Sequence, residues 1–264
     1  MKYAPIILIL LLAACTSTAQ TNVQTVRGNS QSATIQINGL GKDISLSALP
    51  ENSDLLFFGE IGDRSSVVYT VQSANESSIG LSNNPQVLSE NNQWMLQASR
   101  DLPSNLILDI ADGSLNASLA ETQLMQFDLV SSNSTVDIQF PARPLQVALD
   151  TTDSTVSLII PTGAFIFLER LLNQGGFMTI SIGDGVSFEG NINIGAGGLT
   201  LKIPQSTGVQ ILVERVENSE ISLPGISRIA AEATSYSTIN FGTATARLIL
   251  HAALDGAAIR IVQE

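Results

Sequence analysis

The sequence predicts an all-β chain wound as a single-stranded, β-helix-like β-solenoid of coils about 20 residues long, behind an irregular β N-terminal cap. Three observations predict it. The segment Leu129-Val130-Ser131-Ser132-Asn133-Ser134-Thr135-Val136-Asp137-Ile138-Gln139-Phe140-Pro141 is echoed by Leu149-Asp150-Thr151-Thr152-Asp153-Ser154-Thr155-Val156-Ser157-Leu158-Ile159-Ile160-Pro161. Each copy opens on a polar turn of Asn, Asp, Ser or Gly. After the turn, apolar side chains alternate with a period of two, the pattern of a strand with one buried face.

Taking one residue per copy gives Leu115, Val136, Val156, Ile180, Leu199, Ile221, Ile239 and Ile259, with gaps averaging about 20 residues. Stacking such copies lets each strand satisfy its backbone groups on the coils above and below. Pro141, Pro161 and Pro204 each follow their marker at the same distance, where a corner tolerates a residue that cannot donate to a ladder. A β-sandwich is the runner-up, because it also has short strands at regular spacing. The likeness between successive copies favours the solenoid.

In chain order, residues 1–14 read as a processing signal rather than as structure. Lys2 supplies the positive start, Ile6 to Leu12 the apolar run, and Ala13 and Ala14 the small residues before a cut. A helix over Tyr3 to Ala14 would reach about 18 Å, short of a ~30 Å hydrocarbon core. Leu12-Ala13-Ala14-Cys15 resembles the lipobox of bacterial lipoproteins. That resemblance implies cleavage before Cys15 and attachment of a diacylglyceryl group to its sulfur. Two acyl chains suffice for stable anchoring at ~0.8 kcal/mol per buried methylene. Cys15 is also the single cysteine of the chain, so no intrachain disulfide forms. Residues 15–31, rich in Ser, Thr, Asn and Gln, are expected to form a flexible tether.

Residues 32–100 read as the N-terminal β region and cap, and 101–264 as the repeats. Thr34-Ile35-Gln36-Ile37, Val67-Val68-Tyr69-Thr70-Val71 and Trp94-Met95-Leu96-Gln97-Ala98 read as strands, separated by Asn-rich turns. From Ser154 to Leu168 there is no charged residue. The expectation is that this is the best-buried coil, with Phe165 to Leu168 as strand. The rival reading makes Phe165 and Phe167 a partner-binding or membrane-contacting face. The order of a Trp-headed strand, a Leu-Pro turn, Leu106-x-Leu108-x-Ile110 and then Asp/Gly/Ser-marked coils resembles the toast-rack-type and adhesin-like β-solenoid domains of bacterial envelope proteins. The resemblance implies a structural or contact role, in some relatives linked to envelope stress, and it brings no catalytic residues.

Composition narrows the partners. With 24 acidic against 12 basic residues the net charge is −12, which disfavours nucleic acid. No catalytic residues and no metal ligands are assigned. His251 is the single histidine, a G-x-S-x-G elbow is missing, and Gly195-Ala196-Gly197-Gly198 leads into strand where a phosphate loop leads into helix. Basic residues are scattered about one per coil: Arg143, Arg170, Lys202, Arg215, Arg228, Arg247 and Arg260. The expectation is a non-catalytic, exported, lipid-anchored lipoprotein of the bacterial cell envelope without cofactors. It would sit in the outer membrane where the organism has one, otherwise on the outer face of the plasma membrane. Membrane lipid is the expected partner of Cys15, and an envelope protein or glycan that of the body. The alternatives are a polysaccharide-acting β-helix enzyme and an accessory subunit of an envelope-stress sensor.

Overall fold

The structure, a computed structural model, describes residues 21–61, 67–72, 75–83, 92–224, 226–229 and 235–264. Residues 1–20, among them Leu12, Ala13, Ala14 and Cys15, lie outside the described residues. Nine coils among the described residues each pair a strand of one sheet with a strand of the other. In chain order they start with β2 (Ser32–Leu40) and β3 (Asp43–Ala48), then β6 (Glu76–Ser82) and β7 (Gln93–Ala98). Next come β8 (Pro103–Ala111) and β9 (Ser114–Ser118), β10 (Gln123–Ser132) and β11 (Thr135–Gln139), and β12 (Pro144–Thr152) and β13 (Thr155–Ile160). They continue as β14 (Phe165–Gln174) and β15 (Phe177–Ile182), then β16 (Phe188–Gly195) and β17 (Gly198–Ile203). The last are β18 (Thr207–Glu217) and β19 (Glu220–Leu223), and β22 (Ala246–Asp255) and β23 (Ala258–Gln263). The first strand of each coil joins an 11-stranded sheet and the second a 12-stranded sheet. Every pairing between neighbouring coils is parallel, which decides for the solenoid over an antiparallel sandwich.

One corner recurs in every regular coil. Between the two strands, Asp112, Asn133, Asp153, Ala196 and Asn218 hold φ between 46 and 54°, and Gly41, Gly175 and Gly256 are also left-handed. Gly, Asn and Asp enter that region at least cost, so the polar turn of each repeat is a backbone requirement. Except at Lys42, which follows Gly41, the next residue is Gly, Ser or Ala, because the neighbouring coil crosses there. A Cβ on Gly176 would lie 2.0 Å from the Ser154 carbonyl oxygen. Where that site carries serine, its hydroxyl joins coils: Ser154 Oγ accepts from the Ser134 amide at 3.3 Å and donates to the Thr152 carbonyl at 2.9 Å.

Inward residues stack into continuous ladders. In the short-strand sheet Ile44, Leu115, Val136, Val156, Met178, Leu199 and Ile259 are in register and buried. In the other sheet Ile37, Leu108, Leu129, Leu149, Leu171, Ile192 and Ala252 do the same. Both faces belong to one core, and each fully buried aliphatic side chain adds about 1.5–3 kcal/mol. Two of the eight repeat markers shift. Met178, not Ile180, pairs with Val156, and Ile239 is 89% exposed in a turn.

The stacking order departs from chain order at both ends. The sequence runs β6/β7, β2/β3, β8/β9 and onward to β16/β17, then β22/β23 and finally β18/β19. The second coil therefore lies outside the first, and the last coil lies inside the one before it. Antiparallel strands finish each end. β4 (Leu55–Ile61) covers β7, with β1 (Thr21–Val26) outside it, and β5 (Val67–Gln72) covers β6. At the other end β20 (Ile226–Ile229) covers β19 and β21 (Ser235–Ser237) covers β18.

Two expectations need correction. Residues 21–26, assigned to the tether, form β1: Val23 and Thr25 turn inward while Asn22, Gln24 and Val26 face out. A polar edge strand needs few apolar residues when its backbone is held along one side, so composition hid it. Residues 32–48, assigned to an irregular cap, form a regular coil in register with β8 and β9. Within residues 32–100 the capping is done by β4 and β5, joined by β1 from outside that range.

Candidate functional site

The run from Ser154 to Leu168 is not the best-buried coil. Ile160, Ala164, Ile166 and Leu168 point into the core, whereas Ile159, Phe165 and Phe167 are exposed. In a strand, alternation turns every second side chain outward whatever its polarity. The run also crosses a corner, so its outward residues fall on different sheets. Ile159, and Phe177 on the next strand beside Thr155, face out from the short-strand sheet, and Phe165 and Phe167 from the other.

Phe165 and Phe167 stand 63% and 59% exposed, anchored by the buried residues between and after them. Phe165 lies beside Pro144 and Phe167 beside Gln146 on β12, and the Phe165 amide donates to the Arg143 carbonyl at 3.2 Å. One coil further, the register of β10 against β8 slips between Leu124 and Gln126. Met125 is the extra residue of that bulge and projects outward, 58% exposed. Pro103, Met125, Pro144, Phe165 and Phe167 border an open groove of about 440 Å³, with Gln123, Arg143 and Gln146 as its polar members. A second register slip on β14 makes Glu169 the extra residue, and its Oε2 accepts from Gln146 Nε2 at 2.6 Å. The groove is thus mainly apolar, with three polar residues along its lining, on a backbone paired on both sides.

His251 has a different setting from a buried structural histidine. On the outer face of β22, its Nε2 lies 2.8 Å from Glu189 Oε1 on β16 and its Nδ1 lies 3.7 Å from Glu214 Oε1 on β18. The carboxylates address opposite ring nitrogens. That geometry straps three adjacent coils and cannot chelate one ion. Among the described residues, no group of three His, Cys, Asp or Glu is arranged to hold a metal.

The basic side chains pair locally instead of converging. Lys202 meets Glu264 at 3.2 Å, Arg215 meets Glu217 at 3.4 Å, and Arg100 pairs with Glu121. Exposed pairs of this kind contribute about 0–1 kcal/mol each. Arg143 is the basic residue that lines the groove. Sequence reading singled out Phe165 and Phe167 but missed Met125, Pro103, Pro144, Arg143 and Gln146. The 20-residue offset would have aligned Gln126 with Gln146; the bulge at Met125 leaves no mark in composition.

No protein-family model matches the chain, and no curated protein matches it. Among solved structures, that of a candidate cell-adhesion protein from Clostridium sporogenes is similar over 93% of this chain and 100% of its own, at 14% identity and a TM-score of 0.45.

Proposed function

We propose that this protein is a non-catalytic envelope lipoprotein, held to lipid through Cys15, that works by contact and engages an envelope partner at the Phe165/Phe167 groove. The exposure of two phenylalanines on a backbone fixed from both sides carries the reading. Water-facing phenylalanine rings on a rigid sheet offer a large apolar area that loses little conformational entropy on binding. The polar lining residues Gln123, Arg143 and Gln146 supply hydrogen bonds that fix a partner's position. A protein surface or the apolar face of a glycan meets that chemistry. The lipobox-like Leu12-Ala13-Ala14-Cys15 supports the anchor, and the acidity of the body fits a partner that is not nucleic acid.

The test replaces Phe165 and Phe167 together by Ser in the full-length protein and crosslinks it in the native envelope. Both side chains point outward, so the double variant is expected to keep its thermal midpoint while the crosslinked species seen with the parent protein is lost. A folded double variant with the same crosslinks overturns the assignment of the groove.

A further inference from the structure

We infer that the end of the stack carrying β1 and β5 is the face that meets the lipid surface, so that the body stands end-on from its anchor. This rests on the reading of Cys15 as the lipid attachment. β1 is the outermost strand of one sheet and β5 the outermost strand of the other, at the same end. Their chains meet there. Thr25 Oγ1 and Thr70 Oγ1 lie 3.3 Å apart, and Gln72 Nε2 donates to the Val26 carbonyl at 3.0 Å.

The length of chain between anchor and body sets the geometry. Thr21 opens β1 and Cys15 lies six residues earlier. At ~3.6 Å per residue that segment spans at most about 20 Å even when fully extended. The 12-stranded sheet measures about 50 Å along the stack at ~4.8 Å per strand. The β1 end is therefore confined near the bilayer, whereas the β20 end is free to stand well away from it.

The chemistry of that end agrees. Thr-Asn-Val-Gln-Thr-Val in β1 and Val-Val-Tyr-Thr-Val-Gln in β5 contain no charged residue, in a chain that has 36. Edge strands that face bulk water are commonly blunted with charge. Here the outward residues include Val26, Tyr69 and Val71, each at least half exposed. Tyr69 lies back across Gly80 on β6, and its hydroxyl donates to Gln36 Oε1 on β2 at 3.4 Å, so its ring points away from this end. Val26 and Val71 are the exposed apolar side chains that these two strands offer to a lipid surface. Glu76, on the strand next to β5, is exposed and accepts from Thr34 Oγ1 at 3.3 Å. Anionic headgroups repel the acidic body. Two uncharged outermost strands placed downward lower that repulsion, and a side-on posture raises it.

The test uses the full-length lipidated protein, purified from membranes and reconstituted into vesicles of phosphatidylethanolamine and phosphatidylglycerol. A fluorophore is placed at Gln24→Cys on β1 or at Ser237→Cys on β21, both exposed positions. A phospholipid with a headgroup spin label is the quencher. End-on docking is expected to quench the label at 24 several-fold more than the label at 237. Equal quenching at both positions, or quenching at neither, overturns the orientation. Protection of position 24 that grows with protein concentration assigns this edge to a second copy of the chain and also overturns it. Mass analysis of the N-terminal peptide separates the two ideas. A missing diacylglyceryl adduct on Cys15 overturns the anchor and the orientation together, whereas an adduct with equal quenching overturns the orientation alone.

Discussion

At Ala196 the corner column meets a residue that has a Cβ and no side-chain hydrogen bond to offer. Its φ of 49° places it beside Asp112, Asn133, Asp153 and Asn218, whose short polar side chains tolerate the left-handed region. Left-handed backbone costs a residue with a Cβ about 1–2 kcal/mol, and glycine returns part of the difference through the freer unfolded chain. Ala196→Gly is expected to stabilise the protein by about 0.5–1 kcal/mol, read as a higher urea midpoint at unchanged slope. The column was legible in sequence because the need for Asn, Asp or Gly recurs about every 20 residues. Ala196 broke the pattern, yet the glycines around it were enough to mark a corner.

Alternation decides what a strand buries and what it offers, and β14 shows both outcomes within three residues. Phe165 and Phe167 face water while Ile166, 3% exposed, faces the core. Ile166→Ala is expected to cost about 2–5 kcal/mol through lost burial and the cavity left behind. Phe167→Ala, although it removes a larger side chain, is expected to change stability by less than about 0.5 kcal/mol. Urea denaturation of the two variants checks the contrast, and a large loss in the second would place Phe167 in the core. Strands of this kind were readable wherever apolar residues alternate, as over Leu106 to Ile110. They were unreadable where the inward residues are polar, as at Thr25, or where a bulge inserts Met125 or Glu169 and shifts the phase. A charge-free run was also a poor sign of burial, because Ile159, Phe165 and Phe167 lack charge and still face out.

Across the whole molecule, repeats reported the fold class but not the order of the coils. Each copy carries its corner and its alternation within itself; nothing local says which copy it will lie against. The segments β2/β3 and β22/β23 look like chain ends in the sequence and sit one coil inside the stack. Protection is therefore expected to follow position in the stack and not distance from the terminus. In native-state hydrogen exchange, amides of β23 (Ala258–Gln263), flanked by β17 and β19, should exchange more slowly than those of β19 (Glu220–Leu223), which borders only the antiparallel β20 on its outer side. The reverse order would show that the C-terminal coil frays first. The strap from Glu189 through His251 to Glu214 crosses the same three coils on their outer face.

The transposed C-terminal coil also bears on how the chain matures. A solenoid stacked in chain order can grow coil by coil as residues emerge, each new coil finding its template already in place. Here β18/β19 emerges before the coil it must rest on, and its parallel partners β22 and β23 arrive about 40 residues later. Until the final residues are delivered, β16/β17 and β18/β19 both lack the parallel partners that β22 and β23 supply. A chain that crosses a membrane N-terminus first would then close its fold only at release, in a single late insertion that also seals the edge against aggregation.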